Sequence, residues 1–189
     1  MDTLHHSFSI IAISETWARD DNDVFLQISW YNFVSNNRND RGSGVALYVR
    51  SNMSYMRRED LCKTDRECYE SVFIEISNVK KCKIIVGYIY RPPGQDVRKF
   101  NDQFEVLIQN IASQKAESLL AGDYNINMLN YETHVDTEIF VNNLYSSSFL
   151  PLITRPTRFT TTTANLIDNI MSNAFNDDLI SGILIADVS

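Results

Sequence analysis

The sequence predicts a layered α/β protein in which sheets pack on one another. Apolar runs of strand length recur along the chain, and only two segments show helical spacing. Size points the same way, since 189 residues suit one domain with a sizeable core and no linker divides them.

The elements follow in order. "FSIIAIS" (Phe8–Ser14) is a short apolar run ending at polar Glu15, which predicts a buried strand. "GVALYVR" follows a Gly-Ser-Gly turn and reads as a strand entered from a hairpin. "ESVFIEIS" alternates, with Val72, Ile74 and Ile76 on one face and Phe73 and Glu75 on the other, which predicts a half-buried strand. "KIIVGYIY" is apolar on both faces, as a central strand covered on two sides would be. Arg91-Pro92-Pro93-Gly94 stops it, because proline cannot continue a ladder.

A helix follows, with Phe100, Phe104, Leu107, Ile108 and Ile111 on one stripe and Asp96 as its cap. "ESLLAGD" is the next strand, and Phe140, Val141, Leu144 and Tyr145 mark a second helix. The tail holds a threonine-rich stretch (Phe159–Thr163), a strand in "NLIDNIMS" and a last strand in "GILIADVS".

Composition removes several function classes. A content of 44% hydrophobic and 22% charged residues is that of an ordinary soluble globular protein. No apolar stretch is long enough to span a bilayer, and the start lacks a basic leader, so no membrane and an intracellular site are expected. Cys62, Cys68 and Cys82 lack C-x-x-C spacing and read as reduced thiols rather than a zinc site. Asn52-Met53-Ser54 reads as a chance sequon. The net charge of −7 argues against a general nucleic-acid binder held by a basic surface. It leaves room for a nuclease, whose metal-binding carboxylates add negative charge. No G-x-S-x-G, P-loop, G-x-G-x-x-G or H-E-x-x-H is present, which removes the common hydrolase, nucleotide-binding and zincin classes.

Few residues are left to carry chemistry. Glu15 is either a solvated strand-end residue or a ligand for a hard cation such as Mg²⁺. Asp123, Asn125 and Asn127 open like a calcium loop, but Met128 and His134 stand where that loop needs Gly and Glu, and a strand precedes it. What remains is a strand end presenting a carboxylate that can orient or deprotonate water and an amide that can bond a phosphoryl oxygen. Asn127 is then a turn residue. Tyr90 either packs half-buried over the turn or aims its phenol at a phosphate. Asp168 lies in an apolar run, where a charge is costly unless paired, so a hydrogen-bond partner is expected. Arg155 and Arg158 are candidate nucleic-acid phosphate contacts or ordinary surface arginines. His5 and His6 read as terminal and solvated, and His134 as the start of a helix.

Taken in order, these pieces resemble the endonuclease/exonuclease/phosphatase superfamily, most of all the endonuclease domain of non-LTR (LINE-like) retrotransposons. These are relatives of apurinic/apyrimidinic endonucleases and deoxyribonuclease I. Five segments carry the resemblance: "IIAISETW", "RGSGVALYVR", "VGYIYRPPG", "LLAGDYNIN" and "TRPTRFTTTTANLIDNIMSN". It implies one domain over residues 1–189, folded as a two-sheet, four-layer α/β/β/α sandwich with its active site at one rim. It also implies roles. Glu15 would bind Mg²⁺ (or Mn²⁺), and Tyr90 would contact the scissile phosphate or support the transition state. Asp123 would activate the attacking water, Asn125 would hold the phosphoryl oxygen, and Asp168 would orient a catalytic histidine. The implied reaction is hydrolytic nicking of DNA to leave a 3′-hydroxyl at a retroelement target. The implied setting is a monomeric domain acting in the nucleus, with a reverse transcriptase domain in the same polyprotein.

Two departures keep other readings open. The family begins with a strand that delivers an asparagine, and only a few residues precede "FSIIAIS". The family closes with Ser-Asp-His, whereas this sequence reaches "ADVS", in which Asp187 is no match for the missing aspartate. The alternatives are an inactive truncated remnant and a phosphoesterase acting on small or lipid phosphates.

Overall fold

The computed structural model describes residues 8–18, 26–37, 44–77, 82–174 and 179–183. Two sheets face each other. The smaller is antiparallel, in the order β1–β3–β2, from β1 (Ile10–Ser14), β2 (Tyr31–Asn36) and β3 (Val45–Arg50). The larger is built on β6 (Glu70–Ser77), β7 (Lys83–Tyr90), β8 (Glu117–Asp123) and β12 (Asp168–Ser172), which lie side by side in that order. β4 (Tyr55–Arg57) and β5 (Lys63–Thr64) border β6, and β9 (Leu150–Pro151) borders β12. A small hairpin, β10 (Arg158–Phe159) with β11 (Ala164–Asn165), stands apart.

Among the described strands only β7 and β8 run parallel, and the connection between them is helix α1 (Val97–Ser113), as a parallel pair requires. Asp96 caps α1 by accepting the Arg98 and Lys99 N–H groups. All five residues of the apolar stripe are buried. Helix α2 (Val135–Ser146) packs beside it, with His134 as its cap. Phe100, Phe104, Phe140 and Tyr124 form one aromatic cluster between these helices and the larger sheet. A second core, Val45, Leu47, Val49, Val72, Ile74 and Tyr90, fills the space between the two sheets. The described residues thus show helices, large sheet and small sheet as three layers; a helix outside the small sheet is not among them.

Several expectations need correction. "ESVFIEIS" is buried at six of its eight positions rather than on one face. Its Phe73 faces the helices while Val72 and Ile74 face the other sheet. "FSIIAIS" is exposed at Phe8 and Ser9 and half-buried from Ile10 to Ser14, because β1 has β3 on one side and no described strand on the other. "NLIDNIMS" is no single strand, since Leu166 and Ile167 leave the ladder to bond the Asp123 loop through Met128 N–H→Leu166 O and Tyr124 N–H→Ile167 O. Tyr145 of α2 is exposed, and Thr137 is buried instead. Of "GILIADVS", Gly182 and Ile183 form no strand, and residues 184–189 lie outside the described residues. The Gly42 and Ser43 turn, His5 and His6 lie outside them too.

No described helix is long and apolar enough to cross a membrane. Cys62 and Cys68 are free thiols.

Candidate active site

One rim of the larger sheet carries a row of ionisable side chains. Glu70 starts β6 opposite Tyr90 at the end of β7. Tyr90 lies opposite Asp123 at the end of β8, and Asp123 opposite Asp168 at the start of β12. Directly opposed residues share a face. All four therefore point toward the smaller sheet, on the same side as Val72 and Ile74.

The smaller sheet closes this row from across the gap. Tyr88 donates its hydroxyl to Ser14 Oγ at 3.2 Å, and Tyr90 donates to Glu15 Oε1 at 2.5 Å. Tyr90 is 1% exposed, so neither half-burial nor an open phenol describes it. Burial, then the Glu15 carboxylate it serves, pushes its pKa far above the ordinary range and keeps it a donor. Glu15 itself is exposed, with a left-handed backbone (φ 50°).

Asp123 is half-buried, and its pKa is pushed up to about 6. Burial is the main cause and the Asp168 carboxylate the next, with Glu15 adding to it. The Asn125 N–H on Asp123 Oδ1 (3.1 Å) and the charge of Arg158 pull the other way. The Asp168 carboxylate bonds no described partner; only its N–H is engaged, on Thr157 Oγ1 at 3.2 Å. The partner expected for it is therefore absent among the described residues. At a strand start on the rim, half-buried, the carboxylate keeps part of its hydration and needs none.

Local sequence explains why this strand end is shaped so. A Cβ on Gly122 would sit 2.5 Å from the Ile89 carbonyl oxygen and 2.9 Å from the Tyr124 ring, so only glycine fits before Asp123. Asn125 takes φ 48°, a conformation asparagine tolerates better than most residues. Its Nδ2 donates to the Arg91 carbonyl at 2.8 Å. Arg91 is 3% exposed and returns the contact, donating from Nε to Tyr124 O (2.7 Å), from Nη2 to Asn125 O (2.7 Å) and from Nη1 to Gln95 O (2.9 Å). Asn127 is a turn residue, accepting from Leu129 and Leu166 N–H.

The remaining candidates separate. Arg158 is exposed on β10 with its charge felt at Asp123, whereas exposed Arg155 lines a cleft of about 650 Å³ with Leu152, Pro156 and Phe159. His134, the histidine among the described residues, is spent on the α2 cap, where Nδ1 accepts the Thr137 N–H. Sequence reasoning missed Arg91 and Glu70. Glu70 is fully buried, and its Oε2 accepts the Gly44 N–H at 2.7 Å. An arginine before two prolines and a glutamate heading a strand signal nothing by themselves.

No three Asp, Glu, His or Cys side chains gather as a metal cage among the described residues. The donor set is one that a hard cation keeping most of its waters, such as Mg²⁺, could use, and exposed Glu15 is the carboxylate that could hold it. A closed zinc or calcium site does not fit it.

The profile of the Endonuclease/Exonuclease/phosphatase family matches residues 3–179. No curated protein sequence matches the chain. Among solved structures, the chain is similar to the endonuclease domain of TRAS1, a telomere-specific non-LTR retrotransposon, at 14% identity and TM-score 0.60, covering 76% of this chain and 67% of that one. It is similar to the Xenopus laevis APE2 catalytic domain at 16% identity and TM-score 0.58, over 91% and 75% of the two chains. A third is D. rerio TDP2, solved with a single-strand DNA product, at 11% identity and TM-score 0.58, over 87% and 70%. At such identities these likenesses show a shared fold.

Proposed function

The chain belongs to the endonuclease/exonuclease/phosphatase family of phosphoester hydrolases, and from that premise we propose that it is a Mg²⁺-dependent DNA endonuclease. It nicks a phosphodiester and leaves a 3′-hydroxyl, as a monomeric domain serving retroelement target cleavage beside a reverse transcriptase. The observation that carries this is Asp123, held at a pKa of about 6 in register with Tyr90, whose hydroxyl holds Glu15.

Each residue has a task. At neutral pH Asp123 is ionised yet basic enough to orient and deprotonate a water. That basicity comes first from burial and then from repulsion by the Asp168 carboxylate. Asn125 spends one side-chain N–H on Arg91 and retains the second for a phosphoryl oxygen. Tyr90 fixes the Glu15 carboxylate that would hold the cation. Bound there, the cation supplies Lewis-acid neutralisation of charge on the phosphoryl group. Arg158 offers a phosphate contact at the rim, and Arg155 one along the neighbouring cleft.

The test is nicking of supercoiled plasmid. Mg²⁺-dependent nicking that EDTA and Asp123→Ala abolish is expected; metal-independent or absent nicking overturns the proposal. The second reading is a non-catalytic remnant: His134, the one histidine among the described residues, caps α2, so none among them is oriented by Asp168. Intact plasmid with retained DNA binding would support that reading. Phosphate release from small or lipid phosphoesters, without nicking, would instead indicate a phosphoesterase.

A further inference from the structure

Glu15 and Trp17 are two non-glycine residues of left-handed backbone, φ 50° and 52°, with Thr16 between them. Such conformations are strained for residues with a Cβ and persist only where surrounding contacts enforce them. The contacts here are specific. Thr16 N–H donates to Gly44 O at 3.2 Å, and the Gly44 N–H is held by buried Glu70 at 2.7 Å. The fit is close enough that a Cβ on Gly44 would meet Thr16 Oγ1 at 2.3 Å. Ala18 is 3% exposed and donates its N–H to Thr16 Oγ1 at 3.3 Å. With Thr16 and Ala18 both held inward, the Trp17 side chain is left in solvent, two residues from Glu15, whose carboxylate reaches Tyr90 at the rim.

The result is a tryptophan 57% exposed, two residues from the carboxylate at the rim. Its backbone is held by these contacts while its apolar face stays in water, an arrangement that packing among the described residues does not repay. Trp30 provides the contrast. It is 82% exposed but precedes β2 at Tyr31, which pairs with Arg50 at the end of the small sheet opposite the site.

We propose that Trp17 is a stacking platform for an unpaired nucleobase next to the scissile phosphate, so that the site selects single-stranded or locally opened nucleic acid. The inference rests on the hydrolase reading of the rim and adds a substrate preference to it. A fixed indole suits any base, because every base presents a π-face, and it gains nothing from a small phosphoester without one.

The experiment uses Trp30→Phe protein, in which Trp17 is the remaining one of two tryptophans, with Asp123→Asn added to stop turnover. A short single-stranded deoxythymidine oligomer quenches Trp17 emission, and an abasic strand of equal length does not. Trp17→Ala weakens oligomer binding about 10- to 100-fold, while Trp17→Phe stays within a few fold. Binding of Trp17→Ala within twofold of the parent, unchanged emission, or equal quenching by the abasic strand overturns the inference. The two readings fail separately. Nicking by Trp17→Ala with unchanged KM removes the platform alone. Base-dependent quenching by a protein that never nicks keeps the platform and removes the hydrolase.

Discussion

Replacing Asp123 by Asn removes a carboxylate that the fold holds against its ionisation. The folded pKa is about 6 against an ordinary 3.8. As pH rises from 3.8 to 6 the unfolded chain releases this proton before the folded one, so the group's contribution to stability falls through that window and stays low above it. The full shift corresponds to about 3 kcal/mol, and solvent screening of a half-buried group lowers this to about 1–3 kcal/mol. Asparagine keeps an acceptor for the Asn125 N–H and drops the charge. Asp123→Asn is therefore expected to stabilise the protein by about 1–3 kcal/mol at pH 7.5 in urea unfolding. At pH 4.5 the gain falls to about a third of that. A variant less stable than the parent at pH 7.5, or a gain equal at both pH values, would show that Asp123 carries no such penalty.

Other perturbations test the supports of the site. Arg91→Met leaves the carbonyls of Tyr124, Gln95 and Asn125 without their donor, and a loss of about 3 kcal/mol or more is expected in urea unfolding. Arg91→Lys recovers less than half of it, since a single ammonium cannot reproduce the fork; full recovery would mean the charge alone matters. Tyr90→Phe frees the Glu15 carboxylate, and the Mg²⁺ concentration for half-maximal nicking is expected to rise about tenfold or more. Stability changes by only about 1 kcal/mol. An unchanged Mg²⁺ requirement would remove Tyr90 from any part in holding the cation ligand.

What could be read in advance depended on how local each signal was. β7, α1 and β8 announce themselves because each has an unbroken apolar pattern ended by proline, a cap or Gly122. β2, with the sequence YNFVSN, gives no such pattern, since it is an edge strand with half its surface in water. β5, β9 and β10 are two residues long and have no period to detect. The burial of "ESVFIEIS" on both faces comes from a helix layer and a second sheet, neither of which alternation within the strand can report. Arg91 is similar: its acceptors at Tyr124 and Asn125 lie more than 30 residues away. Tyr90 and Asp123 could be singled out because each ends an apolar run, but their register became visible only once β7 and β8 paired.

The pH dependence of Mg²⁺-supported plasmid nicking by the parent and by Asp168→Asn joins the row of acids to its chemistry in one experiment. In the parent, kcat/KM is expected to rise with pH through an acid limb near 6, the pKa of Asp123. Asp168→Asn removes the neighbouring charge that raises this pKa, so the limb moves to lower pH. A limb that stays in place, or moves up, would contradict the assignment of Asp123 as the base and of the rim as the site of phosphodiester hydrolysis.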